Sequence, residues 1–65
     1  MREMYCVTYQ YHDKSEKFHV DNTLVVAETI VEAATLVAEV LDARMEDEGW
    51  SDYNVTGVNI VPELH

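Results

Sequence analysis

His12-Asp13 and His19-x-Asp21 are the histidine–carboxylate neighbours that could supply a general base. Such a base needs a pocket, a tuned pKa and an orienting partner. Both histidines fall at or beside a polar turn, so the expectation is surface histidines and no catalytic residue. Cys6 lies within an apolar alternation and has no positive neighbour to lower its pKa, which reads as a small buried hydrophobe and not a nucleophile. One thiolate with His12, His19 and His65 has no zinc spacing. Glu46-Asp47-Glu48, with Asp42 one turn before and Asp52 beyond Gly49, is the densest carboxylate cluster, but it matches no calcium loop. Gly49 and Gly57 are the only glycines, too few for a phosphate-cradling loop. No metal and no cofactor are expected, and the chain does not read as an enzyme.

Two patterns remain. Tyr5, Val7, Tyr9 and Tyr11 share one strand parity, a stripe that could stack bases if it were flanked by Arg or Lys. Thirteen acids against four bases, a formal charge of −9, argue against direct contact with nucleic acid. The stripe fits a core or a protein interface better, because aromatic residues combine area, rigidity and a polar handle. The second pattern is a row of acids, Glu32, Glu39, Asp42 and Glu46, continued by Asp47, Glu48 and Asp52. Carboxylates at one-turn intervals are spaced about as far apart as phosphates along a strand of DNA. A row of that kind can occupy a basic groove.

The elements that must carry these residues are legible. Met4 to Tyr11 alternates as a strand, with Met4, Cys6, Thr8 and Gln10 on the other parity. His12 to Lys17 reads as a hairpin turn, and a second strand runs from about Phe18 to Ala27, with Asp21-Asn22-Thr23 marking a bulge or bend. Thr29 caps a helix, with Glu32 completing a capping box and Gly49 ending it. Ile30, Ala33, Ala34, Val37, Val40, Leu41 and Met45 recur at helical spacing, widened by Leu36 and Ala38. Val55 to Val61 forms a third strand whose mixed parity points to a bulge at Gly57, and Pro62 ends it.

The order is β-β-α-β in one α+β domain. A right-handed crossover then places the third strand beside the first, giving a three-stranded antiparallel sheet of order 2-1-3 with the helix on one face. A stripe so broad leaves Leu36 or Val40 uncovered, which argues for a partner subunit and favours a dimer. Tyr5, Tyr9, Tyr11, Leu36, Val40 and Trp50 are the candidate oligomer or sheet-face contacts. Which parity faces the helix is open.

The start of the chain has no secretory pattern, and no apolar run approaches the roughly 20 residues that span a bilayer. The expectation is a cytoplasmic protein with no membrane contact. A β-hairpin, a helix opening Thr-x-x-Glu-Ala and a valine-rich closing strand look like many short proteins of phages and mobile elements. The likeness is one of size and architecture and assigns no residue role. The charge, beyond the 2–8 typical of a small domain, favours a basic protein partner. The leading expectation is a non-enzymatic binding module, in its sharpest form an inhibitor imitating nucleic-acid charge. The alternative is a small structural or accessory subunit that self-assembles through its open sheet face and helix edge.

Overall fold

A computed structural model describes residues 1–62. The elements are β1 (Glu3–His12), β2 (Phe18–Ala27), α1 (Ile30–Glu48) and β3 (Asp52–Ile60). The sheet order is β2-β1-β3 with both pairings antiparallel, as the crossover argument requires. His65 lies outside the described residues.

β1 pairs with β2 without interruption, from Glu3 opposite Ala27 to His12 opposite Phe18. The polar Asp21-Asn22-Thr23 step therefore makes no bulge. It lies on an edge strand, where polar side chains reach water without leaving the ladder. The turn between the strands is built on Asp13. Its Oδ1 accepts from the backbone N–H of Ser15 (2.8 Å) and Lys17 (3.0 Å), and its own N–H donates to Lys17 O. Glu16 closes the loop in the left-handed region, φ 65°.

The bulge is in β3. Thr8 pairs with Gly57 but Tyr9 pairs with Val55, which leaves Thr56 as the extra residue. The phase reset brings Tyr53, Val55 and Val58 to one face, resolving the uneven parity of this segment. It also lets the strand begin at Asp52, three residues before the start expected from the valine pattern.

α1 starts at Thr29, whose Oγ1 accepts from Glu32 N (3.0 Å). This is one half of the capping box; the return bond from the Glu32 carboxylate is absent among the described residues. Gly49 ends the helix at φ 74°, and the N–H groups of Gly49 and Trp50 both close onto Met45 O. The next N–H, that of Ser51, bonds His12 O at 2.9 Å, so the helix exit is tied directly to the end of β1.

The face of the sheet under the helix carries the tyrosine parity. Val7, Tyr9, Val37, Leu41 and Trp50 form the main core, and Tyr5, Ala27 and Ala33 a second cluster; Val25 and Val58 pack against both. Tyr5, Tyr9 and Trp50 are thus buried within the chain and are not surface contacts, and Tyr11 is half-buried among them. Val7 is fully buried there between the rings, and Tyr5 and Tyr9 fill the rest of the layer against Ala33, Val37 and Leu41. Cys6 is half-buried and shares the opposite, helix-free parity with Met4, Thr8 and Gln10, so it is not part of the core.

Candidate functional site

The seven acids assigned to one face lie in two settings. On the helix, Glu32, Glu39, Asp42 and Glu46 fall within an arc of about 80° at 100° per residue, on the side away from Ala33, Val37 and Leu41. Along the axis they run about 21 Å, but unevenly, with about 10 Å between Glu32 and Glu39 and single-turn steps after that. The row is therefore an isolated Glu32 and a dense cluster on the C-terminal half. All seven are exposed.

Three of the seven have partners. Asp42 accepts from Tyr53 Oη, which raises the Tyr53 pKa above the usual tyrosine value, with burial adding to the effect. Glu48 accepts from Arg44 Nε at 2.9 Å. Asp52 bonds His12 Nδ1 at 2.8 Å. Glu32, Glu39, Glu46 and Asp47 have no side-chain partner among the described residues.

Arg44, which the pattern reading passed over, organises this end of the molecule. Its Nη1 donates to the buried Tyr9 Oη (2.9 Å), its Nε holds Glu48, and its guanidinium lies 4.9 Å above the Trp50 ring. Beneath it the rings continue: Trp50 on Tyr11 with centroids 3.8 Å apart, then Tyr11 on His19 at 4.8 Å. The available signal was that Arg44 is the only base in α1.

The histidines do not pair with their sequence neighbours. His12 takes Asp52, forty residues away, and His19 donates through Nε2 to Asp13 Oδ2 at 2.8 Å. The His19 bond is the largest cause of a lowered Asp13 pKa, followed by the backbone bond from Lys17. A carboxylate whose folded pKa is depressed contributes stability above its unfolded value, and that contribution is lost as pH falls through the folded value. Acid titration should therefore loosen the β1–β2 turn only below about pH 3.9. The check is the amide shifts of Ser15 and Lys17 in NMR spectra, which should move together there, and in Asp13→Asn should not.

A shallow depression of about 140 Å³ at the same end is lined by Gln10, Tyr11, His12, Phe18, Asp52, Tyr53 and Asn54. It is smaller than the roughly 300–1,000 Å³ typical of small-molecule pockets. Asp52 orients the His12 ring there, but no nucleophile is bonded to that ring among the described residues. Among those residues, too, no three His, Cys, Asp or Glu side chains are gathered to hold a metal ion, and no helix is long and apolar enough to cross a membrane. Comparison with protein families, curated proteins and solved structures yields no match for this chain.

Proposed function

We propose that this domain is a non-catalytic binding module whose α1 carboxylates, Glu39, Asp42, Glu46 and Asp47 foremost, engage a basic protein surface. The observation that carries the reading is where those acids stand. A helix C-terminus bears partial negative charge, and an acid in the last turn, where Glu46, Asp47 and Glu48 stand, costs about 0.3–1 kcal/mol where a base would gain as much. The last turn of α1 holds no base, and Asp42 and Glu46 repel each other at i, i+4. A local rule broken repeatedly, with only Arg44 in compensation, is the mark of a surface kept for something other than stability. A cluster with one-turn spacing suits a protein that binds phosphates, so the sharp form is occupation of a nucleic-acid-binding groove, as a phage-type inhibitor would do it.

The test is affinity capture from a cell extract at low and at high salt, with retained proteins identified by mass spectrometry. A nucleic-acid-binding protein held at low salt, released at high salt and displaced by added duplex DNA or RNA supports the reading. Partners that are not basic, or that stay bound at high salt, count against it. A second reading, a self-assembling structural subunit, is favoured by a different observation: the sheet face opposite α1 leaves Met4, Phe18, Val20, Leu24 and Val26 exposed.

A further inference from the structure

We propose that β2 is a dimerisation strand, through which two copies of this chain join edge to edge about a two-fold axis at Asn22 to form one six-stranded sheet. The inference rests on the self-association reading and assigns it a strand, a register and an axis. β2 is an outer strand, paired on the β1 side along all ten of its residues. Its other side presents an unpaired row of backbone N–H and C=O groups. Edge strands are ordinarily blunted by Pro, charged side chains or a bulge; β2 has no Pro, Lys or bulge, and Asp21 is its one carboxylate.

The sequence of β2 is self-complementary about its middle. The residues opposite Met4, Cys6, Thr8, Gln10 and His12 are Val26, Leu24, Asn22, Val20 and Phe18, so these five share the helix-free face. Phe18, Val20, Leu24 and Val26 are 49–62% exposed there, two on each side of Asn22. Antiparallel pairing centred on Asn22 sets Phe18 against Val26 of the second copy and Val20 against Leu24, each pair twice over. Directly opposed apolar side chains of this kind are the unit of sheet stabilisation. On the other face Asp21 meets Thr23 and His19 meets Val25, so no like charges stand directly opposite.

The helix adds to the same side of the molecule. Tyr53 of β3 reaches Ala38 O and Asp42, which places those residues on the β3 flank of α1. Leu36 and Val40 lie about 200° around the helix from Ala38 and so flank β2. They are 37% and 55% exposed. A two-fold axis normal to the sheet keeps both helices on one face, with these apolar flanks turned toward each other. Asp21 and its counterpart in the second copy become diagonal neighbours on the helix face, but the acidic helix ends are kept apart. The acidic end of α1 is tied to the hairpin end of the sheet through Ser51 and His12, and antiparallel pairing sends the two acidic ends to opposite ends of the dimer. A ten-residue strand spans about 33 Å, several Debye lengths at physiological salt.

The test is sedimentation equilibrium of the full chain across a range of concentrations and salt, joined to site-directed cross-linking. The expected mass is twice the 7.5 kDa of one chain, with association unchanged or strengthened by added salt, the reverse of the salt effect on a basic partner. Val20→Lys with Leu24→Lys, at exposed positions that leave the fold intact by circular dichroism, should return the mass to one chain. Val40→Lys should weaken the dimer as well. In a Cys6→Ser background, Asn22→Cys should cross-link to its own copy with a short bis-maleimide, and Val26→Cys should not. One chain mass at every concentration would overturn both self-association and this interface. A dimer that survives the lysine pair, ignores Val40→Lys, or cross-links at Val26→Cys but not at Asn22→Cys would overturn the edge-to-edge arrangement alone, pointing to stacking of the open faces.

Discussion

Trp50→Ala brings the domain to the edge of unfolding, lowering its melting temperature by more than about 12 °C in a far-ultraviolet circular dichroism melt. The side chain is nearly buried, stacked on Tyr11, beside Tyr9 and beneath Arg44. Truncating a ring in such a setting costs about 3–5 kcal/mol. A chain of 65 residues holds in total about 3–10 kcal/mol at ordinary stability per residue. The loss is thus of the order of the whole. Trp50→Phe, which keeps a ring on Tyr11, should recover much of it. If Trp50 were instead an outward contact, the alanine variant would melt within a few degrees of the parent and show its defect only in assembly.

The triple variant Glu39→Gln, Asp42→Asn, Glu46→Gln should do two things at once. Binding to the basic partner should disappear, because three charges of the single-turn cluster are gone. The fold should become more stable by about 1 kcal/mol, or roughly 4–8 °C, since Glu46 stands in the last turn against the helix dipole and its i, i+4 repulsion from Asp42 is relieved. Asn at position 42 can still accept from Tyr53, so the gain is not cancelled there. The control is Glu3→Gln, Glu16→Gln, Glu28→Gln, which makes the charge less negative by the same three units. If the control loses binding equally, only net charge matters and the cluster has no special role. If the triple variant is no more stable than the parent, the acids carry no cost, and the argument that they are kept for binding fails.

What could be read from the sequence was what local chemistry decides. Thr29 and Gly49 mark the helix ends because capping involves neighbours in the chain, and the sheet order follows from one connection rule. The face of β1 could not be chosen, because Met4 and Cys6 are as acceptable in a core as Tyr5 and Val7. The choice is made by residues distant in sequence, Ala33, Leu41 and Trp50, which Tyr5, Val7 and Tyr9 meet across the layer. The start of β3 was obscured for a related reason: Thr56 shifts the phase, so Tyr53 looked like loop and Val55 like an origin. The histidine partners illustrate the limit most plainly. His12-Asp13 reads as a pair, yet Asp13 is occupied with the turn and His19, and the partner of His12 arrives from the far end of the chain. Of the candidate surface, the acids' exposure was predictable from helical angle alone, whereas Arg44 gained its role only once Tyr9 and Trp50 were beneath it.

The strand order also sets a sequence of events during synthesis. Of the three strands, β1 emerges first and is the central one in the finished sheet, while β3, which pairs with it from Tyr5 opposite Ile60 to His12 opposite Asp52, comes last. A hairpin of β1 and β2 can close within about 1–10 μs. Until β3 has been made, that hairpin has one open ladder on β1, and the rings beneath α1 lack the flank supplied by Tyr53, Val55 and Val58. Non-local pairing of this kind is slow to form and prone to aggregation while it waits. Nascent chains shortened before Asp52 should for that reason be strong chaperone clients, and chains carrying β3 weak ones.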